Sequence, residues 1–167
     1  MILSSSPNGR QEESIVAEKQ PAKKTEKTPA KEPWYANGLQ FECTQCGRCC
    51  GGAPGFVWVN AAEIAAMAEE HGSTTVSDFE LEFVRKVGAR KSLREFANGD
   101  CVFLDPQKRT CTLYHSRPRQ CRTWPFWDSN LKSPEEWAHT CEVCPGAGKG
   151  KLYSLEVIEE QRKVVHI

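Results

Sequence analysis

The chain has 167 residues, which suits one domain, and its 22 basic and 22 acidic side chains give a formal net charge of zero. This balance excludes a strongly basic surface, so we expect no nucleic acid and no membrane among its partners, while a protein partner stays open. The sequence has no run of about 18 apolar residues that would predict a membrane span.

The first 33 residues are predicted to form a disordered tail. They mix Lys, Glu, Pro, Ala, Thr and Ser with few large apolar side chains, as in the stretch EKQPAKKTEKTPAKEP. Such a composition buries too little apolar surface to offset the entropy of an ordered chain. We therefore divide the chain into a tail, residues 1–33, and a cysteine-cluster domain, residues 34–167.

The first regular elements are predicted after residue 55. The stretch FVWVN, residues 56–60, is typical of a short strand. Asn60 and Glu63 have the spacing of a capping box, which predicts a helix over residues 61–71 that ends at Gly72. Helical spacing places three side chains of this helix on a buried face: Ile64, Met67 and Ala68.

A second helix is predicted over VSDFELEFV, residues 76–84. Thr75 and Asp78 form the cap at its start. Phe79 and Phe83 lie four residues apart on one face, so we expect both to be buried.

The second half of the domain is predicted to combine a hairpin with short helices. CVFLD, residues 101–105, and CTLY, residues 111–114, are interpreted as paired strands on either side of a turn. Pro118 predicts a single helical turn. Ser133 opens the helix PEEWAHTC with a cap, a first-turn proline and a capping-box glutamate, and Ser154 opens a terminal helix.

Nine cysteines are several times the ordinary share for a chain of this length. That density is typical of a secreted disulfide scaffold or of an intracellular metal site. The first residues lack the basic and apolar regions of a secretory signal, so we expect a cytoplasmic protein with reduced thiols. In that compartment metal ligation or redox chemistry is favoured over structural disulfides.

The segment CTQCGRCC contains two overlapping CxxC units and a fourth cysteine beside the third. CxxC is the spacing at which two thiolates on a tight turn reach one metal. Neighbouring side chains tend to project to different sides of an extended backbone, so we predict that Cys49 and Cys50 serve two metal sites. Two corners of one cluster are the alternative. Cysteines further along the chain would supply the missing ligands.

Zinc and an iron-sulfur cluster both fit an all-cysteine ligand set, because both bind soft thiolates. Cys43, Cys46 and Cys49 repeat the CxxCxxC run of bacterial ferredoxins. Separated CxxC pairs, such as Cys43 with Cys46 and Cys141 with Cys144, are typical of zinc modules instead. The residues do not decide between zinc and iron. A metal that only stabilises the fold is favoured at least as much as a reactive metal centre.

Three arginines, Arg117, Arg119 and Arg122, are the densest group of charged side chains near the later cysteines. We interpret them as offsetting the negative charge of a metal-thiolate cluster, with binding of an anionic ligand or partner as the alternative. Three aromatic side chains that follow are predicted to exclude water from the metal: Trp124, Phe126 and Trp127.

The motifs CTQCGRCC, GDCVFLD, CTLYHSRPRQCRTWPFW and CPGAGKG resemble the CxxCxxCC cysteine-cluster family, also called the YkgJ type, over roughly residues 41–150. Its members are described as zinc- or iron-chelating domains, so the resemblance implies an iron-sulfur cluster or Zn²⁺ as cofactor. The metal ligands that it implies are Cys43, Cys46, Cys49, Cys50, Cys101, Cys111, Cys121 and Cys144. The supporting residues that it implies are Gly47, Tyr114, Arg117, Pro118, Arg122 and Pro125. Cys141 falls outside the matched pattern and is the expected spare thiol.

The fold class that these observations predict is α+β: a small irregular metal-stapled domain with short helices and a small hairpin or sheet. Its function would be metal chelation, with electron transfer or metal handling as the role. A similar cluster occurs in flagellin lysine N-methylases, which implies a protein-modifying enzyme as the alternative. The sequence has no Gly-rich nucleotide loop after a strand, which counts against a complete methyltransferase domain. A disulfide-stapled protein is the third hypothesis.

Overall fold

Two small antiparallel sheets and six short helices are built from residues 32–166, the part of the chain that a computed structural model describes. The predicted α+β class with short elements is confirmed. The predicted tail, residues 1–33, lies almost wholly outside the described residues.

The strands form one two-stranded and one three-stranded sheet. They are β1 (Leu39–Phe41), β2 (Trp58–Val59), β3 (Val84–Val87), β4 (Arg90–Leu93) and β5 (Lys151–Tyr153). β1 pairs with β5, with Gln40 opposite Leu152, so this sheet joins the two ends of the described chain. The other three strands lie in the order β2-β4-β3, and β2 confirms the strand predicted in FVWVN.

Three of the six helices begin at a side-chain cap that the sequence predicts. The six helices are α1 (Ala61–His71), α2 (Val76–Phe83), α3 (Arg119–Arg122), α4 (Asp128–Leu131), α5 (Pro134–Val143) and α6 (Leu155–Arg162). The N–H of Glu63 donates to the Asn60 side chain at 2.8 Å, and the Glu63 carboxylate accepts the N–H of Asn60 at 2.9 Å. Gly72 ends α1, and Thr75 and Ser133 cap α2 and α5. None of the helices between residues 32 and 166 is long and apolar enough to cross a membrane.

The predicted hairpin of residues 101–105 and 111–114 is wrong as a pair of strands. An isolated bridge joins Leu104 to Cys111, and turns occupy the positions around it. The Asp105 carboxylate accepts two backbone N–H groups of the connecting turn, which tightens it. A hairpin of two paired strands does form earlier in the chain, between β3 and β4.

The buried apolar side chains form two clusters, which we call the first and second core. The first core comprises Tyr35, Leu39, Phe41, Phe126, Leu131, Trp137, Cys144, Ala147 and Ile158. The second core comprises Val59, Ile64, Met67, Ala68, Phe79, Val84, Leu93, Phe103 and Leu113. The predicted buried face of α1 and Phe79 of α2 lie in the second core, whereas Phe83, also predicted to be buried, is half-buried and packs against this core. Cys144 belongs to the first core, whereas Cys101 and Cys111 pack against the second.

Candidate metal centre

The loop after β1 carries the first four cysteines and ends in a one-turn 3-10 helix, Arg48–Cys50. Gly47 precedes this turn in the left-handed conformation, with φ of +66°, and its carbonyl accepts the N–H of Cys50 at 3.0 Å. Gln45 also has a left-handed backbone, with φ of +55°, which is uncommon for a residue with a side chain. These two turns curl the loop tightly between Cys43 and Cys50.

One side of the loop is fixed to the segment that carries Cys101 and Cys111. The N–H of Cys101 donates to the carbonyl of Cys50 at 2.7 Å. A Cβ at Gly47 would lie 2.1 Å from the carbonyl oxygen of Arg109, so this close approach requires glycine. The loop therefore holds Cys50 beside the thiols of the second core.

The opposite side of the loop is fixed to the segment after α5, which follows Cys144. The N–H of Glu42 donates to the carbonyl of Gly146 at 3.1 Å, and the N–H of Gly148 donates to the carbonyl of Gln40 at 2.9 Å. A Cβ at Gly146 would lie 1.8 Å from the carbonyl oxygen of Glu42. The loop thus lies between two cysteine-bearing segments, one packed on each core.

The loop and its neighbours enclose a common pocket, which we call the thiol pocket. Seven of the eight predicted ligands line it: Cys43, Cys46, Cys49, Cys50, Cys111, Cys121 and Cys144. The eighth, Cys101, lines an adjoining pocket that it shares with Cys49 and Cys50, and Cys141 lines neither. Within residues 32–166 no three Cys, His, Asp or Glu side chains stand as a preformed metal site, so the pocket gathers the thiols without fixing a tetrahedron.

Cys49 and Cys50 line both pockets, and their sulfurs lie 3.9 Å apart. A hydrogen bond from Cys49 is the main cause that lowers the pKa of Cys50 to about 7. The same bond, together with loss of hydration around the sulfur, raises the pKa of Cys49. In the metal-free pair Cys50 therefore loses its proton before Cys49 does.

We assign the remaining thiols to two groups, one for each of these two neighbours. Burial and the negative charge of Cys50 raise the pKa values of Cys101, Cys111 and Cys121, and such mutual influence requires short distances. We call Cys50, Cys101, Cys111 and Cys121 the inner thiols. The other thiols of the pocket are the outer thiols: Cys43, Cys46, Cys49 and Cys144. The charge of Cys121 also raises the pKa of Cys49, so the two groups adjoin.

The outer thiols include the residues nearest to solvent. Cys43 and Cys49 are exposed, whereas the four inner residues are half-buried. Cys144 is the exception, because it is buried in the first core with 7% of its surface accessible. The outer group therefore extends from the solvent-exposed edge of the pocket, at Cys43, to the buried position of Cys144.

The predicted arginine group is only partly brought together. Arg117 lines the thiol pocket, with Nη1 4.0 Å from the sulfur of Cys43. Arg119 instead pairs with Glu63 at 2.8 Å, and Arg122 donates to the backbone carbonyl of Arg117. Of the three, Arg117 is placed to offset thiolate charge.

The other supporting residues lie around the pocket. Tyr114 lines it, and its ring lies under the Arg117 guanidinium at 3.5 Å. Trp124 also lines the thiol pocket, while Trp127 lines the adjoining one. Phe126 is fully buried in the first core behind them. The two supporting prolines are likewise fully buried: Pro118 and Pro125.

An ion pair that the sequence analysis missed braces the segment between Cys101 and Cys111. Arg109 donates through Nη1 and Nη2 to the two carboxylate oxygens of Asp100, at 2.5 and 3.1 Å. Gly51 packs under the pair, since a Cβ there would lie 2.2 Å from Asp100 Oδ1. The GD dipeptide and a lone arginine in a turn give no local signal for this long-range contact.

Replacing Arg109 by glutamine is expected to destabilise the protein near neutral pH and to have less effect in acid. The hydrogen bonds from Arg109 hold the pKa of Asp100 below its ordinary range. A lowered folded-state pKa stabilises the protein above the unfolded pKa of aspartate, and this contribution is lost as pH falls through the folded value. Urea unfolding of both proteins over a series of pH values measures the difference.

The control for this prediction is Asp100→Asn, which removes the titrating group itself. We expect the difference in unfolding free energy between Arg109→Gln and wild type to shrink as pH falls. The same arginine substitution in the Asp100→Asn background should show no such trend. A difference that stays constant down to strongly acidic pH would contradict the assigned role of the pair.

The donor set of the pocket fits a soft metal. Among the described residues that line the thiol pocket there is no carboxylate and no imidazole, and the sulfurs are the abundant ligating atoms. Thiolates bind zinc as a tetrahedral ion and bind iron in iron-sulfur clusters. The raised pKa values of Cys101, Cys111 and Cys121 mean that metal binding to these thiols must release protons. The fold and the thiol-lined pocket are those expected of a small metal-chelating domain.

Comparison with known proteins gives the family. Residues 42–145, more than half of the chain, match the CxxCxxCC family model, whose description is "Putative zinc- or iron-chelating domain". The protein belongs to this CxxCxxCC family. Uncharacterized protein MJ0661 of Methanocaldococcus jannaschii is 30% identical over 92 residues, which cover 55% of this chain and 48% of that protein. The chain thus spans about half the length of this curated relative, and no solved structure matches it.

Proposed function

We propose that the protein chelates two metal centres, of zinc or of iron, through its two adjoining groups of four thiols. The observation that carries this proposal is the gathering of eight thiols around two adjoining pockets, both of which Cys49 and Cys50 line. A closed tetrahedral site takes four thiolates, so eight suffice for two such sites. Bound zinc would act as a structural staple, and iron-sulfur clusters would carry electrons.

The thiols would connect the two cores through the bound metal. Cys101 and Cys111 reach the inner centre from the second core, and Cys144 reaches the outer centre from the first. Cys49 and Cys50 belong to the loop between them and would link the two centres through one peptide bond. Because each core is small, metal binding would contribute much of the folding free energy.

The two centres would differ in how readily they exchange metal. The inner thiols are half-buried and braced by the hydrogen bond between Cys101 and Cys50. One of the outer residues, Cys43, is open to solvent, so a competing chelator can approach that group. We assign the inner centre a structural role and the outer centre an exchangeable one, which suits a protein that handles metal.

The location and partner follow from the state of the thiols. All nine cysteines are free, the state that a reducing cytoplasm maintains, so we propose a cytoplasmic location. A partner that exchanges metal at the outer thiols would be another thiolate protein, because soft metals transfer between soft ligands. Nucleic acid and membrane are not among the partners that we propose.

Metal analysis of protein purified without oxygen tests this function. We expect two zinc ions per chain in colourless protein, or equal iron and acid-labile sulfide sufficient for two clusters in brown protein. Release to a chelator should then follow two phases, with the outer centre emptied first. Reduced protein that holds one metal ion or none after incubation with excess metal would overturn the proposal. Protein with alkylated thiols is the control, and it should bind no metal.

A further inference from the structure

Trp124 carries a buried N–H group without a hydrogen-bond partner. Within residues 32–166, three buried side-chain nitrogen or oxygen atoms lack a partner, and of these only Trp124 Nε1 belongs to a residue that lines the thiol pocket. A buried donor that stays unpaired has lost its hydrogen bond to water without replacement. Its position in the thiol pocket points to a hydrogen-bond acceptor that becomes available when the pocket binds metal.

The neighbouring tryptophan shows how such a group is normally satisfied. Trp127 packs edge-to-face on Trp124, with ring centroids 4.8 Å apart. The Nε1 group of Trp127 donates to the carbonyl of Gln120 at 3.1 Å and to the hydroxyl of Thr123 at 3.3 Å. The two indoles therefore differ in their hydrogen bonding: the N–H of Trp127 has protein acceptors, and that of Trp124 has none.

Sulfur is the abundant acceptor around Trp124. The thiol pocket that it lines contains seven cysteines, and a metal-bound thiolate carries the negative charge that a neutral thiol lacks. Trp124 also packs against the first core, of which Cys144 is a member. The outer thiol Cys144 and the Trp124 indole therefore belong to the same apolar cluster.

We propose that Trp124 donates its Nε1–H to a metal-bound thiolate of the outer group. This inference rests on the proposed function, because the acceptor is a thiolate that metal ligation keeps deprotonated. Trp124 is a positioning residue, which holds and tunes a ligand without touching the metal. Hydrogen bonds to ligating sulfurs stabilise the thiolate, slow its loss from the metal and raise the potential of an iron-sulfur cluster.

Trp124→Phe tests this role in full-length protein loaded with zinc or cobalt(II). Residues that hydrogen-bond a metal ligand typically change metal affinity by about 10- to 100-fold, so we expect Trp124→Phe to speed metal release from one centre by a comparable factor. The thiolate-to-cobalt absorption bands of that centre should shift. The matched control is Trp34→Phe, because the Trp34 indole N–H donates to the carbonyl of Leu131 at 2.8 Å and Trp34 lines neither pocket. It should lower resistance to urea and leave both the release rates and the bands unchanged.

The outcomes separate this inference from the function on which it rests. Wild-type protein that binds no metal would overturn both. Metal-loaded Trp124→Phe with wild-type release rates and wild-type absorption bands would overturn the role of Trp124 alone. If the phenylalanine variant fails to fold, benzothienylalanine at position 124 keeps the ring shape without the N–H. The same faster release and shifted bands are expected from it, and wild-type values would again overturn the inference.

Discussion

Cys49→Ser is expected to lose the outer metal centre and keep the inner one, and Cys50→Ser is expected to do the reverse. A neutral serine hydroxyl does not replace a soft thiolate in a tetrahedral site. Because we assign Cys49 and Cys50 to different centres, each variant should retain about half of the wild-type metal. Native mass spectrometry of the reduced protein counts the metal bound to each intact chain.

Double variants distinguish two centres from a single shared cluster. Adding Cys43→Ser to Cys49→Ser should cost no further metal, because both changes act on the outer group. Combining Cys49→Ser with Cys50→Ser should remove both centres. Cys141→Ser is the matched control and should keep both, since Cys141 lines neither pocket. Complete loss of metal from each single variant would show one linked cluster instead.

The parts of the fold that the sequence predicted are those that local chemistry decides. Asn60 and Glu63 are three residues apart, and the side chain of each accepts the backbone N–H of the other. The start of α1 can therefore be predicted from residues 60–63 alone. The predicted division of Cys49 and Cys50 assumed that neighbouring side chains alternate along an extended backbone. That assumption is wrong here, because both residues lie in the 3-10 turn Arg48–Cys50 and their sulfurs are 3.9 Å apart. That Cys49 and Cys50 ligate metal stays a prediction, which the grouping of the other thiols supports.

The features that the sequence did not predict depend on contacts between distant segments. β1 pairs with β5 across more than a hundred residues, and no local pattern indicates which short apolar runs meet. Apolar residues in CVFLD suggested a strand, but the chain there is bent by the turn at Asp105 and tied to the cysteine loop through Cys101. The unpaired N–H of Trp124 is equally invisible in sequence, because it depends on which acceptors fold around the indole.

Gly47→Ala is expected to be among the most damaging single changes outside the ligands. The new Cβ would lie 2.1 Å from the carbonyl oxygen of Arg109 and 2.7 Å from Leu104 Cδ1, and the left-handed φ of +66° would add backbone strain. That strain costs about 1–2 kcal/mol, and overpacking typically costs about 1–3 kcal/mol more. Relief would require the loop to move away from the segment that carries Cys111, which would separate the inner thiols. Urea unfolding and metal content per chain measure the two effects.

Gly88→Ala is the control, because it isolates backbone strain from steric overlap. Gly88 has a similar φ of +59°, but a Cβ there meets nothing within 4 Å, and it lies in the β3-β4 turn. It should therefore show the strain alone, about 1–2 kcal/mol, with full metal content. The loss of metal should be confined to Gly47→Ala and should fall on the inner centre, which Cys50 shares with Cys111. Equal destabilisation by the two variants, with metal retained in both, would mean that the glycine contact does not hold the cysteine loop in register with the second core.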